Sequence, residues 1–191
     1  LDAGKTAVIE MSGAAGITLL SETERNPLYT TTYGVGEVIR DAISRGCRHF
    51  IIGIGGSATN DGGIGMLQAL GFDLLDQEGV PVRHGALGLK DLAVISDSHA
   101  LPELKECTFR IACDVTNPLC GSQGCSAVFG PQKGADPAMI QQMDQWLSSY
   151  AALAGKSFPK TNPAHAGAGA AGGLGFAFLT FFHATLESGV N

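Results

Sequence analysis

An apolar run, Phe50-Ile51-Ile52-Gly53-Ile54, breaks abruptly into Gly55-Gly56-Ser57-Ala58-Thr59-Asn60-Asp61-Gly62-Gly63, and an apolar segment resumes from Ile64 to Leu70. This pattern constrains the fold more than any other stretch. The first run has the length and β-branched content of a buried strand, and the last has that of a helix. Glycine reaches backbone angles closed to other residues and lets a ligand approach the main chain. In open α/β sheets, the loop between a strand's carboxyl end and a helix's amino end is where ligands bind. Two glycine pairs around two hydroxyls, an amide and a carboxylate therefore read as a site as well as a turn.

The rest of the chain supports an α/β reading. A strand is expected at Thr6–Met11, followed by a glycine- and threonine-containing connection through Thr31. Val35, Val38, Ile39, Ala42 and Ile43 recur at helical spacing after Thr32, with Gly46 as a stop. Residues 72–76 read as a strand turning at Gln77-Glu78-Gly79 into a return at Val80 and Val82. Phe109–Val115 reads as a strand. Asp136 and Pro137 open a helix whose buried face carries Ile140, Met143, Leu147, Tyr150 and Ala154. The glycine-rich run 167–173 precedes an apolar helix expected from Leu174 to Ser188. The expected architecture is a layered α/β domain with a mixed, largely parallel sheet, and no linker or repeat divides residues 1–191.

Composition narrows the function. With 45% hydrophobic and 16% charged residues, the chain has the make-up of a globular protein. The 27 glycines among 191 residues are about twice the usual share, and they gather in a few loops without a collagen period. A formal net charge of −6 without a lysine/arginine cluster argues against nucleic-acid and membrane-surface partners. The absence of a long apolar span or signal peptide, together with an odd count of five cysteines lacking C-x-x-C, gives the expectation of a reduced cytoplasmic protein. Cys113, Cys120 and Cys125 match no usual zinc spacing. A chain opening almost directly on a strand without an initiating Met, and stopping after a helix end at Gly189, gives the expectation of a piece of something longer.

Several segments carry candidate chemistry. Ser57, Thr59, Asn60 and Asp61 offer donors and acceptors suited to a polyhydroxy acid or a phosphate, and Gly55 and Gly56 leave backbone open to it. A dinucleotide fingerprint competes here, because Gly53, Gly55 and Ala58 fit G-x-G-x-x-A and Asp73 lies 20 residues beyond Gly53. Asp61 would repel a pyrophosphate, and Gly62-Gly63 is a poor first helical turn, so that reading is the weaker. Gly4-Lys5-Thr6 looks like the end of a P-loop, but a strand follows where that motif needs a helix. Asp114 ends an apolar strand and suits a general base or a Mg²⁺ ligand, with Asn117 orienting a substrate. Gln132 and Lys133 sit between glycines, and a cation there would face the negative charge of phosphoryl transfer. Gly172 and Gly173 lead into a helix amino end able to favour an anion, though close packing explains them equally well. Glu10 and Glu37 are further polar candidates.

Taken in order, Val8–Met11, Arg25–Leu28, Thr32–Glu37, the loop 55–63, Ala112–Leu119, Val128–Gly134 and Ala170–Gly175 resemble the bacterial-type glycerate kinase family across nearly the whole chain. The resemblance implies ATP-dependent phosphorylation of D-glycerate with Mg²⁺, in a longer two-domain α/β protein with a cleft between its domains. On that resemblance these residues look like the middle of such a protein, mostly its inserted domain. Family segments of the D-S-F-K, D-G-G-E-G and T-G-E-G types are absent from these 191 residues. Within it, Ser57, Thr59, Asn60 and Asp61 are expected to bind glycerate or the transferred phosphate. Asp114 is expected to act as base or metal ligand, and Lys133 to neutralise phosphate. A nicotinamide-dependent oxidoreductase and a non-catalytic small-acid binding domain are the alternatives.

Overall fold

The computed structural model describes residues 5–188. Four strands, β1 (Lys5–Glu10), β2 (Cys47–Gly53), β5 (Thr108–Ala112) and β6 (Ala184–Glu187), form one parallel sheet in the order β1-β2-β5-β6. A separate antiparallel ribbon pairs β3 (Asp73–Leu75) with β4 (Val94–Ser96). The helices are α1 (Ser12–Ala15), α2 (Tyr33–Ser44), α3 (Ile64–Ala69), α4 (Ala86–Asp91), α5 (Cys125–Phe129), α6 (Pro137–Ala154) and α7 (Ala170–Phe181).

The register sets the core. Ile9 pairs with Ile52, Ile52 with Ile111, and Ile111 with Leu186, so one apolar row crosses the whole sheet. Phe50 and Phe109 stack one row below, and Phe109 meets Phe178 of α7 and Phe182 beyond it. Helices α2, α3 and α7 pack on this side, where Ile39, Ile64, Leu67 and Phe176 are fully enclosed. Period-two alternation sends the neighbouring residues to the opposite face. There Val8 is 73% exposed, Arg110 pairs with Glu187 at 2.7 Å, and His49 bonds Thr108. Parallel sheets ordinarily have both faces covered; within these residues one face of this sheet is bare.

Most expected elements occur, with three corrections. The helix expected from Leu174 to Ser188 ends at Phe181, and Ala184–Glu187 forms the edge strand β6. Its four residues alternate half-buried and exposed, a period of two hidden by the apolar helix before it. The strand expected through Val115 stops at Ala112, so Asp114 lies two residues past the strand end. The return at Val80–Val82 is real, with Asp76 N–H donating to Val80 and Val82 N–H to Leu74, yet the ladder partner of β3 is the later β4. Asp136 caps α6 by accepting from Met139 N–H at 2.8 Å. Val38, placed on the apolar face of α2 by spacing, is 41% exposed, while Val35, Ile39 and Ile43 are buried. Gly4 and Gly189 lie outside the described residues; Lys5 and Thr6 are in β1.

Candidate functional site

The loop 55–63 joins β2 to α3, and its two halves have different surroundings. Gly55 and Gly56 are exposed, and a Cβ built on Gly55 meets nothing within 4 Å. Gly56 has φ +69°, which keeps the chain turning outward in a conformation other residues rarely adopt. The segment is held from one side: Ile17 N–H donates to Gly56 at 2.8 Å, and Ala58 N–H to Ala15 at 2.9 Å. Ser57, itself buried, lines a cavity of about 300 Å³, which also has Asp114, Gln132, Lys133, Cys113 and Ala171 on its walls. This cavity stands beyond the carboxyl ends of β2 and β5, where parallel sheets place ligands.

The second half turns inward. Thr59, Asn60 and Asp61 are essentially inaccessible. Asp61 accepts from Thr32 N–H at 2.8 Å, from the Thr32 hydroxyl at 3.0 Å, and from Gly63 N–H at 3.0 Å. Burial pushes its carboxyl above the usual range, and the donors of Thr32, Gly63 and Gly65 pull it back down. Thr32 precedes α2, and its hydroxyl donates to Asp61 and accepts from Met66 N–H at 2.9 Å, joining α2, the loop and α3. Asn60 donates to Ser126 at 2.8 Å, and Gly62 N–H donates to the Gly172 carbonyl at 2.9 Å. Gly172 and Gly173, at φ +66° and +93°, follow Ala171 at φ +51° in a left-handed turn, so the regular part of α7 starts after Gly173. A Cβ on Gly172 would overlap the Thr59 carbonyl, and one on Gly173 would approach Gly62 Cα to 2.8 Å. These two glycines serve close packing here.

Lys133 joins the two halves. It ends the 3₁₀ turn Pro131–Lys133 after α5 and is fully buried. Its ammonium donates to Ser57 Oγ at 2.9 Å and to the Thr59 carbonyl at 2.6 Å. Burial pushes its pKa down to about 8, against the pull of Cys125 and Asp61. Burial also raises the Cys125 thiol to about 11 and Cys120 to about 12, so neither is a ready thiolate.

Three loops far apart in sequence thus bring Gly55, Gly56, Ser57, Asp114, Gln132 and Lys133 to one cavity. Thr59, Asn60 and Asp61 lie beneath it, inside the protein. Asn117 is turned away, its amide donating to Gln123 at 2.9 Å within its own loop. Glu10 lies across Gly53, where a Cβ would strike its carboxylate, and Glu37 is exposed on α2. Motif reading passes over Ile17, weighs Cys113 only as a zinc ligand, and gives Ala171 no role of its own. Ile17 carries no distinctive signal, whereas the glycine run at 167–173 announces an unusual backbone without saying that an alanine shares it.

Chemically, the cavity offers a hydroxyl backed by an ammonium, a carboxylate and exposed glycine backbone, suited to an anionic, hydroxylated ligand. All five thiols are free, and among the described residues no three His, Cys, Asp or Glu side chains gather as a metal site. No helix there is long and apolar enough to cross a membrane.

Comparison with known proteins gives a consistent picture. A family model described as the glycerate kinase family matches residues 1–191. The chain is 49% identical over 187 residues to a glycerate kinase of Haemophilus influenzae, covering 98% of this chain and 50% of that protein. It is 50% identical over 187 residues to the glycerate 2-kinase of Escherichia coli, covering 98% and 49%. A crystal structure of a Salmonella typhimurium LT2 protein, described as a candidate glycerate kinase 2, superposes with a TM-score of 0.94 at 49% identity, covering 96% of this chain and 49% of that one. The chain spans about half the length of the relatives it matches.

Proposed function

The chain belongs to the glycerate kinase family, and from that premise we propose that its cavity is one wall of a site transferring a phosphoryl group from ATP to D-glycerate, giving phosphoglycerate. The observation that carries this reading is the meeting of Gly55–Ser57, Asp114, Gln132 and Lys133 at one cavity beyond β2 and β5. At about 300 Å³ it is at the small end of ligand pockets, sized for a three-carbon acid and one phosphoryl group rather than a whole nucleotide.

In this proposal the Gly55 and Gly56 backbone and the Ser57 hydroxyl hold the oxygens of the acid or of the group in transit. Lys133 supplies positive charge behind them, from a buried position where it is worth more than in water. Asp114 accepts the proton of the attacking hydroxyl or, alternatively, holds Mg²⁺, and Gln132 orients the ligand. One carboxylate from the chain suits that ion, which is commonly bound through one or two carboxylates with water and substrate phosphates completing its shell. Bound Mg²⁺ would supply charge neutralisation on the transferred group. Thr59, Asn60 and Asp61 act as the frame that fixes Ser57 and Lys133.

We read residues 1–191 as a single α/β domain of a longer two-domain kinase, with no nucleic-acid or membrane partner and a cytoplasmic setting. The bare sheet face supports this, since parallel sheets ordinarily have both faces covered. The dinucleotide alternative fares poorly: the amino end of α3 is already occupied by the Asp61 carboxylate, bonded to Gly63 N–H, where a pyrophosphate would have to sit.

The test is a chimera in which these 191 residues replace the matching half of the E. coli relative. Glycerate-dependent ADP formation is expected, and Asp114→Asn should lower its turnover by about 10² or more without lowering its melting temperature. A folded chimera that binds glycerate but never turns over would favour a small-acid binding domain. NAD binding by the 191-residue chain would favour the oxidoreductase.

A further inference from the structure

Lys133 is a buried lysine with an unusual set of partners. Its two acceptors, Ser57 Oγ at 2.9 Å and the Thr59 carbonyl at 2.6 Å, are both neutral. Among the described residues it takes part in none of the ion pairs, although it is 2% exposed. Burial without a carboxylate at hydrogen-bond distance lowers the ammonium's hold on its proton, and this outweighs the opposing pull of nearby Cys125 and Asp61. Once deprotonated, the amine would keep one N–H on the Thr59 carbonyl and turn its lone pair toward the Ser57 hydroxyl. Ser57 in turn lines the cavity. Just before it, the amides of Gly55 and Gly56 donate to no backbone acceptor among the described residues.

These are the parts of a serine–lysine nucleophile: a hydroxyl at hydrogen-bond distance from a buried amine, a cavity that this serine lines, and amides beside it to receive developing negative charge. We propose that Ser57 is a lysine-activated nucleophile that takes compact phosphoryl or phosphonyl groups onto its Oγ. With a small alkyl fluorophosphonate, Ser57 Oγ attacks phosphorus, the Oγ–P bond forms and the P–F bond breaks. Fluoride leaves with its electron pair, and the hydroxyl proton passes to Lys133 Nζ. A nucleoside triphosphate whose terminal phosphate reaches the cavity is the natural electrophile of the same kind: the Oγ–P bond forms, the bridging O–P bond to the terminal phosphate breaks, the nucleoside diphosphate leaves with the electron pair, and the hydroxyl proton passes to Lys133 Nζ. The pair rests on its own geometry and not on the kinase reading.

The experiment treats the 191-residue chain with a small alkyl fluorophosphonate between pH 6 and 10 and follows intact mass. The expected result is a single adduct that maps to Ser57, forming at a rate that rises and levels off with a midpoint near pH 8. Ser57→Ala should abolish it, and Lys133→Arg, which keeps the charge but cannot accept a proton at these pH values, should slow it by about 10² or more. No adduct at pH 9, an adduct spread over other hydroxyls, or an undiminished rate in Lys133→Arg overturns the proposal. If Lys133→Arg does not fold, the wild-type profile decides: a plateau supports the pair, and a rate flat in pH or climbing without limit refutes it. A Ser57 adduct in a chain whose chimera forms no ADP would retire the kinase reading and leave this one standing.

Discussion

The loop 55–63 is one stretch of glycine and small polar residues, and its two halves do opposite work. Gly55–Ser57 faces a cavity, with space where a side chain of Gly55 would go. Thr59–Gly63 carries the more polar side chains and hides them: Asn60 donates to Ser126, Asp61 accepts from Thr32 and Gly63, and the buried Thr59 hydroxyl finds no partner among the described residues. Polarity in a glycine-rich loop is therefore no guide to which residues line the cavity. What separates the halves is the partner surface. The second half lies against the left-handed turn 171–173 of α7, which is close enough to demand glycine, while the first half lies against residues 12–17 and, at Ser57, the Lys133 ammonium.

The comparison breaks most violently at the packed side. Gly172→Ala places a Cβ on the Thr59 carbonyl at a positive φ, and a loss of about 3–5 kcal/mol is expected in urea denaturation. A loss under about 1 kcal/mol would mean the two segments are not wedged together. Asp61→Asn should cost about 2–4 kcal/mol by the same measurement, because it sets an amide N–H₂ against donors that now meet an acceptor.

Lys133, which touches both halves, makes a subtler test. Its folded pKa near 8 lies below that of the unfolded chain, so the unfolded state holds more protons above pH 8 and the lysine's burial becomes less costly as pH rises. The stability of wild type relative to Lys133→Met should move in favour of wild type by about 1 kcal/mol between pH 8 and 9. The raised cysteines oppose this in each protein alone but cancel in the difference. A pH-independent difference would place the lysine's titration elsewhere. On the open side, Gly55→Ala should leave stability within about 0.5 kcal/mol and Ser57→Ala within about 1 kcal/mol. Both should reduce turnover of the chimera, Ser57→Ala by about 10²; a large stability loss with intact kinetics would erase the distinction between the halves.

Much of this was legible in the sequence. The β2–loop–α3 rhythm, the α6 cap at Asp136 and the involvement of the segments around Asp114 and Lys133 follow from periodicity and local chemistry. Strand β6 was not legible, because four residues alternate too briefly to stand out against the apolar helix before them. Nor was the inward turn of Asn60 and Asp61, since burial of a polar side chain depends on partners such as Thr32 and Ser126 that lie 29 and 66 residues away. The Ser57–Lys133 bond, spanning 76 residues, is hidden for the same reason.

The most direct test follows backbone amides of the isotopically labelled 191-residue chain as D-glycerate and then inorganic phosphate are titrated in. The account predicts shifts concentrated at Gly55, Gly56, Ser57, Asp114 and Lys133, with Asn60–Gly63 nearly unmoved. Shifts centred on Asn60–Gly63, or on residues remote from the cavity, would contradict it.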